Sequence, residues 1–133
     1  MFKEPQNYTD TDHFFFTADK DLEKVCNAPK DKQGVFKIIE LKNGKITLVF
    51  LGCTNFEGTQ SSVHGLYDEI VNGLHFDKNP RKIAWTYQLI KDKVDAIDIY
   101  WFVTRKSDNP KTVLTELLKQ HLDEYGKLPK WNK

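Results

Sequence analysis

Residues 34–52 read GVFKIIELKNGKITLVFLG, and this stretch decides the fold. β-Branched and aromatic residues dominate both of its halves. Between them stands Asn43-Gly44, a pair that tolerates the positive φ angles of the two-residue turn joining antiparallel strands. The spacing therefore predicts a hairpin, with 34–40 paired to 46–52. Its turn-distal ends are apolar on both faces, which places the hairpin centrally, beneath covering helices.

Outward from the hairpin, residues 96–104 (AIDIYWFVT) form a third β-rich run with Ile97, Ile99, Trp101 and Val103 on one face. Asp108-Asn109-Pro110 then opens a last helix with proline in its first turn. Leu114, Leu117, Leu118, Leu122 and Tyr125 recur at helical spacing as its buried stripe, His121 joins them as a hydrogen-bonded core histidine, and Gly126 ends it. Between the hairpin and the third strand, Ser61 or Ser62 caps a helix through VHGLYDEIVNG to Gly73, and a second helix runs from about Ile83 to Lys93. On the N-terminal side, Asp19 caps a short helix to about Asn27, and the aromatic run His13–Phe16 needs cover. Residues 1–12 read as a polar arm and 13–133 as one domain. The expected architecture is α/β: a three-stranded, hairpin-based antiparallel sheet flanked by helices.

Composition narrows the function. A chain of 133 residues with 39% hydrophobic content can bury its own core, and the apolar content excludes disorder. Lys+Arg at 20 against Asp+Glu at 19 gives a net charge of +1, so a globally basic nucleic-acid binder is excluded. Cys26 and Cys53 are too few for a disulfide framework and lie at no zinc spacing, which fits reduced thiols. The N-terminus has no apolar leader and no run approaches the ~20 residues that span a bilayer, so a cytoplasmic protein with no membrane partner is expected.

Familiar catalytic signatures are missing. The four histidines, His13, His64, His75 and His121, form no HExxH pair, and there is no Walker A loop, GxGxxG or GxSxG. Charge is polarised along the chain: residues 77–133 carry 12 Lys/Arg against 8 Asp/Glu. Arg81 and Lys82 stand beside Trp85 and Tyr87, and Lys127, Lys130 and Lys133 surround Trp131. Cations interleaved with aromatics grip phosphates while bases stack. The same pattern arises where lysine stems lie over the edge of a core.

Five segments in order resemble one known family. Gly34-Val35-Phe36, followed after thirteen residues by Phe50-Leu51-Gly52, resembles the paired motifs of the GIY-YIG nucleases. Leu66–Ile70 (LYDEI) is similar to the family's L-x-x-R-I helix, Leu117-Leu118 to its E-x-x-L-[IL] helix, and Gly126 with Leu128–Asn132 to its terminal G-x-x-P-x-x-N region. The resemblance implies a compact metal-dependent endonuclease fold, yet the side chains at the family's working positions differ. Phe36 and Phe50 replace two tyrosines, Glu69 stands where an arginine offsets phosphate charge, and Leu114 stands where a glutamate binds metal. Only Asn132 matches. Glu116 is the fallback metal ligand, but at 100° per residue it points about 160° away from the apolar stripe.

On this resemblance the expected protein is a nuclease-fold domain with a decayed active site, needing no cofactor and acting by binding. Lys37, His64, Tyr67, Arg81, Lys82 and Asn132 are the candidate contact residues, and the partner is nucleic acid or protein. The first alternative is an active Mg²⁺-dependent endonuclease, which requires Tyr67, His64 and Glu116 to converge. The second is a protein-interaction domain with no nucleic-acid role.

Overall fold

Asn43 and Gly44 adopt φ angles of 52° and 75°, the left-handed pair that a two-residue hairpin turn needs. The computed structural model describes residues 8–54, 65–76 and 78–132. In chain order its elements are β1 (Thr11–Phe16), α1 (Leu22–Val25), β2 (Gly34–Lys42), β3 (Lys45–Cys53), α2 (Leu66–Asn72), β4 (Leu74–His75), β5 (Asn79–Pro80), α3 (Arg81–Asp92), β6 (Ala96–Val103) and α4 (Pro110–Tyr125). The hairpin β2–β3 pairs from Val35 opposite Cys53 to Lys42 opposite Lys45. One bulge interrupts it: Ile38 faces Phe50 and Ile39 faces Leu48, leaving Val49 as the extra residue.

The main sheet has four strands, not the expected three. Its order is β1-β6-β2-β3, with every neighbouring pair antiparallel. The added strand is the aromatic run itself. Phe14 and Phe16 turn into the core while His13 and Phe15 stay exposed, the period-two alternation of a half-buried edge strand. Thr11 and Asp12, expected in the polar arm, already pair with Phe102 and Trp101. A separate two-stranded ribbon, β4–β5, joins α2 to α3.

Several helix limits move for local reasons. Asp21, not Asp19, caps α1 by accepting from the Glu23 amide, while Asp19 accepts from the Thr17 hydroxyl. α3 begins at Arg81, two residues before the expected start, and ends at Lys93 in the left-handed conformation. Gly65 precedes α2, and Ser61, Ser62 and His64 lie outside the described residues. In α4, Asn109 accepts from the Lys111 amide, Pro110 opens the helix and Gly126 closes it at φ 75°. Its buried stripe ends sooner than expected. Val113, Leu114, Leu117, Leu118 and His121 face the sheet, whereas Leu122 and Tyr125 are exposed, because the last turn carries them off the covered face.

Alternation along the strands makes two apolar layers. On one face Phe14, Phe16, Phe36, Ile38, Ile97, Ile99 and Trp101 pack with Leu66, Ile70, Trp85 and Leu89 of α2 and α3. On the other, Val35, Leu51 and Phe102 pack with Leu117 of α4. Each fully buried large side chain contributes about 1.5–3 kcal/mol. The C-terminal tail then runs beside edge strand β3. The Trp131 amide donates to the Val49 carbonyl at 2.9 Å, and the Asn132 side chain accepts from the Leu51 amide and donates to its carbonyl, each at 2.9 Å. No helix among the described residues is long and apolar enough to cross a membrane.

Candidate functional site

Arg81, the first residue of α3, is only 5% exposed. Its guanidinium carbon lies 5.3 Å from the centre of the Phe36 ring, 5.2 Å from Phe50 and 6.0 Å from Trp85. The two phenyl rings are themselves 5.8 Å apart. Its Nη1 sits 3.1 Å from Glu69 Oε2 and also donates to the Glu69 carbonyl. Glycines leave the space for this: a Cβ on Gly52 would come within 2.5 Å of the Phe36 ring, and one on Gly73 would collide with Arg81 Nη1. Burial lowers the Arg81 pKa, and the adjacent Glu69 carboxylate works against that shift.

Four residues from separate motifs thus converge: Phe36 and Phe50 from the hairpin, Glu69 from α2 and Arg81 from α3. Glu69 turns its carboxylate onto Arg81. The cation is enclosed by rings and already donates to a carboxylate and a carbonyl, so a phosphate outside cannot reach it. Neither ring has a hydroxyl with which to move a proton. Burial, with Glu69 adding to it, pushes the thiol of nearby Cys53 up to about 11.

The remaining candidates lie elsewhere. Leu114 is half-buried in the cluster under α4, on the far side of the sheet, and Glu116 is exposed on the same helix. Asn132 spends both ends of its amide on the Leu51 backbone. Lys37 is 5% exposed, with Nζ 4.8 Å above the Tyr100 ring. Tyr67 donates to the Glu23 carbonyl at 2.7 Å, and Lys82 Nζ lies 3.8 Å from the Glu23 carboxylate, so these two share one exposed corner. His64 lies outside the described residues. Tyr67 and Glu116 belong to opposite faces of the sheet and do not converge. Of the interleaved aromatics, Trp85 and Trp131 are core residues and Tyr87 is exposed.

Two groupings escape sequence reading because strand register creates them. His13 Nδ1 lies 2.8 Å from Asp98 Oδ1, and its ring stacks on Tyr100 at 4.6 Å and 9°. A cleft of about 390 Å³ opens where β2 begins and β6 ends, with Lys32, Arg105 and Lys106 in its walls. The pairing of Gly34 with Val103 brings these cations together. Asp108 in the same cleft is already engaged, by Arg105 Nε at 3.3 Å and by the Tyr8 hydroxyl at 2.8 Å. Burial and that hydrogen bond push Tyr8 up to about 12. The lysine and arginine pairs flanking the two strands were the available signal.

Among the described residues no group of three or more His, Cys, Asp or Glu is placed to hold a metal ion. No protein-family model, curated protein or solved structure matches the chain.

Proposed function

We propose that this domain is a binding module on a GIY-YIG-like framework, one that holds a nucleic-acid strand without hydrolysing it. The enclosure of Arg81 carries the reading. Phe36, Phe50 and Glu69, chosen from three separate motifs, meet around one buried guanidinium. That convergence is what a shared ancestral site would leave, and its present contents pack instead of reacting. Cleavage of a phosphodiester needs a cation free to meet the phosphate and a group that activates the nucleophile.

The strand-end cleft supplies the contact surface. Lys32 and Lys106 form no ion pair among the described residues, and Arg105 stands beside them. Asp31 and the engaged Asp108 also line the cleft, so its three cations leave a surplus of one positive charge, which attracts a phosphate backbone with an affinity that falls as salt rises.

Labelled single- and double-stranded DNA and RNA, incubated with Mg²⁺ or Mn²⁺ and read for retention and for cleavage, test both halves. Retention that is salt-sensitive, weakened at least tenfold by Lys32→Glu with Lys106→Glu, and free of cleavage is the expected result. Metal-dependent cutting abolished by Glu116→Ala would promote the active-endonuclease reading, and no retention of any nucleic acid would remove the nucleic-acid half. A second reading, a protein-interaction domain, is favoured by one observation: Ile83, Tyr87 and Ile90 stand exposed on α3.

A further inference from the structure

β3 is one edge of the main sheet, and the C-terminal tail pairs with only its second half. The two-residue turn makes Lys42 and Lys45 a hydrogen-bonded pair, and along antiparallel strands such pairs alternate with pairs whose N–H and C=O groups face away. Ile46, opposite Leu41, and Leu48, opposite Ile39, are therefore of the outward kind. Past the bulge Leu51 is outward as well, as its two hydrogen bonds with the Asn132 amide show. The tail thus holds the outer side of Val49 and Leu51. Among the described residues no backbone hydrogen bond reaches the outward groups of Ile46 or Leu48.

The tail stands off this first half. Trp131 beside Val49 and Asn132 beside Leu51 run in the same direction as β3, so the residues before them approach the stretch before Val49. There a groove of about 290 Å³ is lined by Ile46, Thr47 and Leu48 of the edge, Tyr125 of α4, and Leu128 and Pro129 of the tail. Ile46 is 74% exposed and Tyr125 48%, so apolar surface flanks the open backbone. Leu48 packs with the α4 cluster, and Ile46, two residues away, shares its face. Thr47 is on the other face, opposite Glu40, whose carboxylate meets Lys130 Nζ at 2.9 Å.

We infer that the first half of β3 takes up an extended segment of a protein partner, paired through the outward groups of Ile46 and Leu48, with apolar side chains beside those two residues and a polar one beside Thr47. A row of backbone donors and acceptors is what another extended backbone matches, and an open strand edge is a template for it. Asn43-Gly44 bounds the row on one side and Trp131 on the other, leaving about 13 Å, the length of Lys45–Leu48. That limit speaks against a second copy of this chain. A two-fold pairing centred on Thr47 would set Asn43 of one copy against Leu51 of the other, whose outward groups Asn132 holds. Centred on Ile46, it would set Asn43 against Val49, whose carbonyl Trp131 holds. Phosphate oxygens only accept hydrogen bonds, so a phosphate backbone leaves the two outward carbonyls unmet. This groove shares no residue with the strand-end cleft, so the inference does not depend on the nucleic-acid reading.

The probe is a displayed library of short linear peptides panned on the full chain. It should enrich sequences with apolar residues at alternate positions, and a synthetic peptide of the enriched sequence serves the remaining measurements. Amide hydrogen exchange read by NMR should slow selectively at Ile46 and Leu48 when the peptide is added, while Thr47, already bonded to β2, stays unchanged. Ile46→Pro removes one outward N–H and no bond of the hairpin, a substitution that edge strands tolerate. It should lower affinity for the peptide at least tenfold, with circular dichroism matching the parent. The exchange measurement uses the unaltered chain and stands even if that variant unfolds. The inference is overturned by failure to enrich, by enrichment of helical spacing in place of alternation, by unchanged exchange at Ile46 and Leu48, or by equal binding to folded Ile46→Pro. It is also overturned by a concentration-dependent dimer that Ile46→Pro abolishes, or by displacement of the peptide by a single-stranded oligonucleotide. Lys32→Glu with Lys106→Glu should leave every one of these readouts unchanged, which separates this inference from the nucleic-acid reading.

Discussion

Arg81 Nη1 lies 3.1 Å from Glu69 Oε2, with side-chain exposures of 7% and 19%, and this contact links α2 to α3 beside the hairpin. Removing one member of a buried pair strands the other without compensation. Glu69→Ala is therefore expected to cost about 3–5 kcal/mol in urea unfolding. Replacing both residues, Arg81→Met with Glu69→Leu, should recover most of that loss. Glu69→Arg would set a second guanidinium against the first and should destabilise further. A loss below about 1 kcal/mol for Glu69→Ala would show that the rings alone hold Arg81.

On α4 the expected ordering is set by register. Leu117 is 6% exposed, so Leu117→Ala should cost about 2–4 kcal/mol. Glu116→Ala next to it should fall within about 0.5 kcal/mol. Leu122→Ala, at a position 46% exposed, should cost clearly less than Leu117→Ala. Thermal unfolding of the three variants checks this, and a reversed order would mean a rotated helix.

Asn132 makes two hydrogen bonds to one backbone residue of β3. Net values of about 0.5–1.5 kcal/mol per hydrogen bond put Asn132→Ala at about 1–3 kcal/mol. Hydrogen exchange at the Leu51 amide should accelerate selectively. Unchanged exchange there would mean that the tail adds nothing to the edge.

His75 gives stability a pH dependence. Burial lowers its pKa below the ordinary 6.5, with Arg81 adding to the shift and a 3.1 Å hydrogen bond with Gln88 opposing it. The unfolded chain therefore binds a proton at this site more readily than the folded one. The stabilisation is complete above pH 6.5 and is lost as pH falls through the folded value. Urea midpoints between pH 7.5 and 5 should decline, and His75→Gln should flatten that decline. An identical slope in the variant would assign it to other groups.

Burial pushes the thiols of Cys26 and Cys53 up to about 11. At pH 7 only about one thiol in ten thousand is then a thiolate, so native protein should react very slowly with iodoacetamide. Denaturant should release both. Fast labelling of the native chain would place a cysteine in water.

Much of the architecture was legible in residue order because it is local. Asn43-Gly44 specifies its own turn, the alternation of 96–104 identifies β6, and Pro110 and Gly126 mark both ends of α4. The fourth strand was hidden because three consecutive phenylalanines mask the inward and outward alternation that β1 follows once paired with β6. The candidate site was legible only in part. Phe36, Phe50 and Glu69 could be picked from motif spacing, but the meaning of Arg81 depends on what α3 lies against. An arginine beside a tryptophan reads as a surface patch until the helix is docked, and docking is a long-range event. The exposed side of α3 was obscured by the same mixture, since Ile83, Tyr87 and Ile90 interleave with residues that truly are core.

The bulge at Val49 determines more than the twist of one strand. With it, Leu48 and Leu51 both reach the α4 cluster while Val49 and Phe50 reach the other layer. Deleting that single residue would leave a regular ladder, with Leu48 still opposite Ile39 and Phe50 still opposite Ile38, so Phe50 would stay beside Arg81 and Leu51 under α4. β3 thus carries a spare residue, and one deletion there leaves the wall around the guanidinium standing. The paired stretch of β2 has no such spare, and a deletion between Phe36 and Ile38 would turn the side chains beyond it to the opposite layer.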